Sequence, residues 1–186
     1  NAAEQSAGSI FTSAQQQANT NNIKDTLYRE WQFGILPFIG TNGQLSGNVI
    51  NDYSLNLFGG YSLGNRKLEI SGLFNVTRGD VTGAQFAGFF NVSGGNLNGA
   101  QFSGFTNTIR GNVTGLQMAG FVNLAWGNLE GAQFAGFVNT VRGKSNGAQF
   151  AGFVNTCIDT VIGFQGAGFV NFSNKFTHGA QLAGFA

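Results

Sequence analysis

A sixteen-residue motif occurs seven times, without insertion or deletion, from Gly83 onward. Each copy opens on a glycine: Gly83, Gly99, Gly115, Gly131, Gly147, Gly163 and Gly179. The motif reads close to Gly-Ala-Gln-Phe-Ala-Gly-Phe-Val-Asn followed by seven more variable residues, and we number its positions as slots 1 to 16 from the opening glycine. A period this strict indicates that every copy takes the same structure and stacks on its neighbours.

Three slots carry large side chains that barely change between copies. Slot 3 is Gln at Gln85, Gln101, Gln117, Gln133, Gln149 and Gln165; slot 7 is Phe at Phe89, Phe105, Phe121, Phe137, Phe153 and Phe169; slot 9 is Asn at Asn91, Asn107, Asn123, Asn139, Asn155 and Asn171. Sixteen residues suit two strands of about five residues and two corners, which is one turn of a β-solenoid. We therefore predict an all-β fold, a parallel β-solenoid of 16-residue coils with an N-terminal β cap.

Stacked coils place equivalent side chains directly above one another, about 4.8 Å apart. The Gln and Asn slots then form amide ladders, in which each side chain donates to the next coil. The Phe slot forms an apolar column, which we expect to bury a large area of each ring. An insertion would break the register of every column at once, which accounts for the constant period.

An antiparallel arrangement is the alternative to the solenoid. The pair Gly-Asn recurs at Gly95-Asn96, Gly111-Asn112 and Gly127-Asn128, and Gly-Asn is also typical of two-residue hairpins. One long strand per copy would give a β-meander or an outer-membrane β-barrel. Identical short turns would, however, put the same mixture of Gln, Asn and Phe on both faces, so no lipid-facing side would emerge. We favour the solenoid for this reason.

The chain divides into three segments by composition. Residues 1–30 are polar and rich in Gln, Asn and Ser, which predicts a linker or disordered segment. Residues 31–66 contain short apolar runs separated by turn signals, which predicts an N-terminal β cap. Residues 67–186 form the repeat array, whose degenerate first copy carries Glu69 where later copies have Gln.

The chain contains few residues of the types that usually carry out catalysis. Charged residues make up 9% of the chain, against about 25% in typical domains, and there is one histidine and one cysteine. No cluster has metal-ligand spacing, so we predict no enzyme activity, no cofactor and no metal. The net charge of +1 gives no reason to expect nucleic acid. Cys157 occupies slot 11, where other copies have Ile, Ala or Val, which predicts a buried structural residue.

The tandem motif Gly-x-Gln-x-Ala-Gly-x-x-Asn resembles a bacterial surface-repeat family of Leptospira and Bacteroidota. The segments Leu36–Gly43, Tyr53–Tyr61 and Leu68–Asn75 resemble the lead-in that such proteins carry before their repeats. The resemblance covers about residues 36–186. It implies an exported cell-envelope protein associated with the outer membrane or the cell surface, and it supplies no catalytic residues.

Two places in the array could contact a partner. Arg110, Trp126 and Arg142 share slot 12, so they should line one edge of the solenoid. The last coil, near Phe185, should end in an open sheet edge, which we expect to pair with a partner protein or with further native chain. The sequence thus predicts a non-catalytic structural or interaction module of the cell envelope. A membrane-embedded barrel component is the alternative function.

Overall fold

Two parallel β-sheets, wound from successive coils, make up the protein. The computed structural model describes residues 26–185. Within this range, eleven strands form one sheet: β1 (Leu27–Leu36), β2 (Ile39–Gly40), β3 (Val49–Asn56), β5 (Gly64–Ser71), β7 (Ala84–Ala87), β9 (Leu97–Ser103), β11 (Val113–Ala119), β13 (Leu129–Ala135), β15 (Ser145–Ala151), β17 (Val161–Ala167) and β19 (Thr177–Ala183).

The second sheet of the described residues has eight shorter strands. They are β4 (Gly59–Ser62), β6 (Phe74–Thr77), β8 (Phe90–Ser93), β10 (Thr106–Ile109), β12 (Val122–Ala125), β14 (Val138–Val141), β16 (Val154–Cys157) and β18 (Val170–Ser173). Each coil therefore contributes one strand to each sheet. The two strands are joined by a turn at slots 6 and 7 and by another at slots 12 to 14.

The register between coils is the sixteen-residue period itself. Gln117 lies opposite Gln101 on one side and Gln133 on the other, and all three strands run parallel. In the eight-stranded sheet, Asn123 lies in the same way between Asn107 and Asn139. The predicted parallel solenoid is confirmed, and the antiparallel alternative is wrong. The recurring Gly-Asn pair forms a turn, but the turn leads into the next coil and not into a hairpin.

The N-terminal end continues the same stacking. β1 pairs in parallel with β3, so strand structure begins at Leu27, four residues before the boundary expected from composition. The remainder of the predicted 1–30 linker, residues 1–25, lies outside the described residues. β2 folds back antiparallel on the C-terminal end of β1 and pairs with that part of the sheet edge. A 3-10 helix, Gly43–Asn48, then leads into β3.

At the other end of the described residues, β19 pairs with β17, and all seven of its residues are exposed. No other described strand pairs with β19 on its outer side. The predicted open edge is therefore present in the described part of the chain. The occupation of that edge by a partner or by further chain stays a prediction.

Glycine at slot 1 is required by both backbone conformation and space. Gly131 has a φ of 135°, and a Cβ on it would lie 2.1 Å from the carbonyl oxygen of Gly115 in the coil before. The same conformation recurs at the opening glycine of each coil from Gly99 to Gly179. A side chain here would force neighbouring coils apart, because the clash is with backbone atoms that cannot rotate away.

We therefore expect Gly131→Ala to destabilise the array strongly, by about 2–4 kcal/mol, through backbone strain and displacement of a strand. Gly166→Ala is the matched control, because the atoms nearest to a Cβ at Gly166 belong to the side chains of Phe150 and Phe164, at 3.0–3.3 Å, and not to the backbone. Chemical denaturation of both variants measures the difference. Equal losses of stability would contradict this account of slot 1.

Candidate functional site

The interior of each coil is narrow and half polar. Side chains from slots 3, 9, 11 and 15 point inward, and in most coils they are fully buried. Slots 11 and 15 supply the apolar part, formed by Val81, Leu97, Ile109, Val113, Ala125, Leu129 and Val141. Slots 3 and 9 supply the amides. Each coil thus encloses only a few side chains, which limits their size.

The asparagines of slot 9 form a continuous ladder that also ties the two sheets together. From Asn75 to Asn155, each Nδ2 donates to the Oδ1 of the asparagine in the following coil at 2.8–3.0 Å. The same Nδ2 of Asn123, in the eight-stranded sheet, donates at 2.7 Å to the carbonyl oxygen of Phe134 in the eleven-stranded sheet. Both amide hydrogens are therefore used, one along the axis and one across it.

The glutamines of slot 3 form a second ladder with the opposite direction. Gln133 Nε2 donates to Gln117 Oε1 of the preceding coil at 2.8 Å, and Gln149 donates to Gln133 at 3.0 Å. The asparagine ladder donates toward the C-terminus, and the glutamine ladder donates toward the N-terminus. The amide ladders predicted at slots 3 and 9 are both present. Their dipoles run in opposite directions, so no large net dipole builds up along the interior.

The phenylalanines of slot 7 stack as predicted but lie on the outside of the solenoid. Phe89, Phe105, Phe121, Phe137, Phe153 and Phe169 are 43–51% exposed. The expectation that this column is the buried core is therefore wrong. Slot 7 follows the slot 6 glycine at a turn, where the alternation of inward and outward side chains breaks. The interior is also already filled by the two amides and by the side chains of slots 11 and 15.

Two exposed apolar columns run along the edge formed by this turn, which we call the aromatic edge. The slot 7 rings are nearly parallel, with centroids 4.9 Å apart between Phe105 and Phe121 and again between Phe121 and Phe137. Slot 4 supplies a second column on the eleven-stranded sheet, formed by Phe86, Phe102, Met118, Phe134, Phe150 and Leu182. Sequence reasoning missed this column, although Phe recurs at slot 4 in four copies.

A groove follows the aromatic edge beside the slot 4 column. It has a volume of about 1070 Å³ and is lined by residues of slots 4, 5 and 6 from Ser71 to Ala183, together with Phe164 of slot 2. Its lining contains no charged side chain, and alanine and glycine form most of the surface beside the rings. At Gly166 the slot 4 ring is absent, and Phe164 of slot 2 packs against Phe150 instead, with centroids 5.3 Å apart. Phe164 thus takes the place of the missing ring on the outer surface.

Charge is confined to the opposite side of the coil. From Gly83 onward, all charged side chains and the histidine occupy slots 12 to 16: Arg110, Glu130, Arg142, Lys144, Asp159, Lys175 and His178. Slots 12 to 14 form the second turn, which we call the charged edge. The solenoid is therefore amphipathic around its circumference, since the aromatic edge carries no charge in any of these coils.

The slot 12 residues predicted as surface contacts lie on the charged edge. Arg110, Trp126 and Arg142 are exposed on successive coils. The Arg142 guanidinium carbon lies 3.8 Å from the centroid of the Trp126 ring. This cation–π contact covers one face of the indole. The structure thus brings the three residues into one column, in which Trp126 remains 45% exposed beside the Arg142 guanidinium.

A third ladder on the charged edge explains the slot 14 asparagines. The Oδ1 of Asn96 accepts the backbone N–H of Asn112 at 2.8 Å, and Asn112 Oδ1 accepts that of Asn128 in the same way. A Cβ at Gly111 would lie 2.4 Å from Asn96 Oδ1. The Gly-Asn pair therefore meets a stacking requirement between coils in addition to its turn preference.

Glu69 takes the place of a glutamine at the junction between the cap and the array. It is fully buried, and its Oε2 accepts a hydrogen bond from Gln85 Nε2 at 2.7 Å. Its Oε1 has no hydrogen-bond partner. Burial raises the pKa of Glu69 to about 7, and the hydrogen bonds from Gln85 and Thr77 offset only part of this effect. The carboxyl group therefore stays largely protonated in the folded protein up to nearly neutral pH.

Few other described residues could take part in catalysis or bind a metal ion. Cys157 is buried in the slot 11 column, as predicted, and burial raises the pKa of its thiol. Within residues 26–185, no group of three His, Cys, Asp or Glu side chains is placed to hold a metal ion. The helical residues in this range are too few and too polar to cross a membrane. The absence of enzyme activity stays a prediction.

Comparisons with protein-family models, with curated proteins and with solved structures gave no match to this chain. The resemblance to a bacterial surface-repeat family therefore rests on its motif and lead-in alone.

The ladder geometry predicts that a buried asparagine matters more to stability than an exposed ring. Asn123→Ala removes the bonds to Asn139 and Phe134 and leaves Asn107 without its acceptor, so we expect a loss of about 3 kcal/mol or more. Phe121→Ala is the matched control two residues away, and we expect it to lose no more than about 1–2 kcal/mol, because that ring is half exposed. Urea denaturation followed by circular dichroism compares the two. A larger loss of stability for Phe121→Ala than for Asn123→Ala would indicate instead that the slot 7 rings form the buried core.

Glu69→Gln should stabilise the protein in a pH-dependent way. Because the folded pKa of Glu69 is raised from 4.5 to about 7, its ionisation opposes folding increasingly as pH rises through this window. We expect little change in stability at pH 4.5 and a gain approaching about 3 kcal/mol at pH 8. Melting temperatures measured between pH 4.5 and pH 8 show how the gain in stability depends on pH. Glu130→Gln, at an exposed carboxyl, is the control; a similar gain in both variants would exclude burial as the cause.

Proposed function

We propose that this protein is a non-catalytic scaffold of the bacterial cell envelope that presents its aromatic edge to a partner. The observation that carries the proposal is the uncharged, exposed array of stacked rings along that edge. Twelve large apolar side chains at slots 4 and 7 are each at least 37% exposed. Soluble monomers rarely expose contiguous apolar patches above a few hundred Å², and larger patches are typical of interaction sites.

The rigidity of the edge supports a binding role. Each ring stacks on its neighbours, and the backbone beneath it is fixed by the register of both sheets. Side chains that are ordered before binding lose little further conformational entropy when a partner covers them. Such a surface gains affinity from many equal contacts and not from one specific pocket, which suits a structural or adhesive module.

The envelope location is the part of the proposal that comes from resemblance. The tandem motif and its lead-in resemble those of exported bacterial surface proteins, and the polar, charge-poor composition is compatible with that setting. Attachment to the outer membrane or to the cell surface is therefore proposed together with the scaffold role.

Fractionation of the producing cells tests both parts. We expect the tagged full chain to sediment with the envelope, and Phe105→Glu with Phe137→Glu to move most of it to the soluble fraction, because two carboxylates on the aromatic edge oppose its burial. The control is Asn98→Glu with Ile162→Glu, two exposed slot 16 positions at the end of the strand nearer the charged edge. Retention of the Phe variant in the envelope, or a soluble wild-type chain, would refute the proposal.

A further inference from the structure

We propose that the partner of the aromatic edge is a second copy of this chain, so that the protein forms a dimer with its two solenoids packed along their length. This inference rests on the proposed function, since it names the occupant of the surface described there. In the dimer, the ridge of slot 7 rings from one protomer lies against the groove beside the slot 4 column of the other. A two-fold axis makes the two contacts equivalent.

The area of the aromatic edge matches what a stable dimer needs. At 43–51% exposure for most slot 7 rings and 37–41% for Phe86, Met118, Phe134 and Phe150, each side chain still offers a substantial apolar face. With about 200 Å² per side chain, twelve of them present about 1,000 Å² per protomer. Stable protein–protein interfaces bury about 800 Å² on each partner. The edge is therefore large enough without help from other surfaces.

The shape of the edge is complementary to a copy of itself. The slot 7 rings form a ridge with a regular spacing of 4.9–5.8 Å from Phe89 to Phe169. The groove of about 1070 Å³ runs along the same axis and is bordered by alanine and glycine. Both features repeat once per coil. A fit between ridge and groove at one coil is therefore repeated at the others, and few other surfaces have this period.

The charge distribution favours a protein copy over a lipid surface. A second copy buries no ionised group, because slots 4 to 7 carry none from Gly83 onward. Segments that bind membranes at the interface usually carry Lys, Arg or Trp beside their apolar face. Here Arg110, Trp126, Arg142 and Lys144 all lie on the charged edge, at the opposite turn of the coil. They would point away from a bilayer that contacted the aromatic edge.

Sedimentation equilibrium of the full chain without detergent tests this inference. We expect the mass of two chains at 10–100 µM total protein, a range in which a standard-size interface is populated. Phe105→Glu with Phe137→Glu should raise the dissociation constant at least tenfold. The control Asn98→Glu with Ile162→Glu adds the same two charges and also removes an exposed apolar side chain, and it should leave the mass unchanged.

Circular dichroism shows whether the variants keep their strand content. If the glutamate pair unfolds the chain, Phe105→Ser with Phe137→Ser provides the same test without added charge, and dissociation is again expected. A wild-type monomer at all concentrations would overturn the inference, as would a dimer that survives both phenylalanine pairs. The latter result would point to pairing through the outer edge of β19.

Phosphatidylcholine vesicles distinguish the lipid alternative. Binding of a monomeric wild-type chain to these vesicles, abolished by the phenylalanine pair, would replace the second copy with a bilayer. Cell fractionation separates this inference from the proposed function. A monomer whose retention in the envelope still requires Phe105 and Phe137 would remove only the dimer, whereas a dimer found in the soluble fraction would remove only the envelope scaffold.

Discussion

The asparagine of slot 9 is the contact on which the rest of the structure depends. Its side-chain nitrogen has two hydrogens, and each has one short acceptor. In Asn123 one hydrogen bonds the asparagine of the next coil, and the other bonds the carbonyl oxygen of Phe134 in the opposite sheet. A single side chain thus links successive coils and also links the two sheets. An aliphatic side chain of similar size could fill the space but would leave those acceptors unpaired.

The composition of the interior explains why large apolar side chains lie on the surface. Because two of the four inward side chains per coil are amides, the core holds little apolar volume, and the rings have no place inside it. The slot 7 column is therefore stacked at the turn, half exposed, and the slot 4 column covers the outer face beside it. A protein that places its largest apolar side chains outside carries an exposed patch on every coil. The proposed scaffold role and the proposed dimer both follow from this inversion of the usual arrangement.

At the junction between the cap and the array, Glu69 stands where later coils have glutamine and still provides the acceptor that the ladder needs. The array requires an acceptor for the side-chain nitrogen of Gln85, and a carboxylate oxygen supplies it. Loss of hydration on burial costs an ionised carboxylate far more than an amide, and a carboxylate can take up a proton, so the first rung of the glutamine ladder is sensitive to pH. The sequence marks this position clearly, because Glu replaces Gln in an otherwise constant slot. The shift in pKa follows only from its complete burial.

The constant period indicated that every copy takes the same structure, and the lack of a lipid-facing side in an antiparallel arrangement favoured stacking in register. The sequence pattern therefore predicted the parallel coils, the Gln85 and Asn91 ladders and the shared edge of Arg110, Trp126 and Arg142. Periodicity could not determine which way each slot faces. Alternation assigns inward and outward positions within a strand, but it is lost at a turn, and Phe121 follows the turn glycine Gly120. Only the folded coil, whose narrow interior is already filled by the amides and the side chains of slots 11 and 15, decided that the rings lie outside.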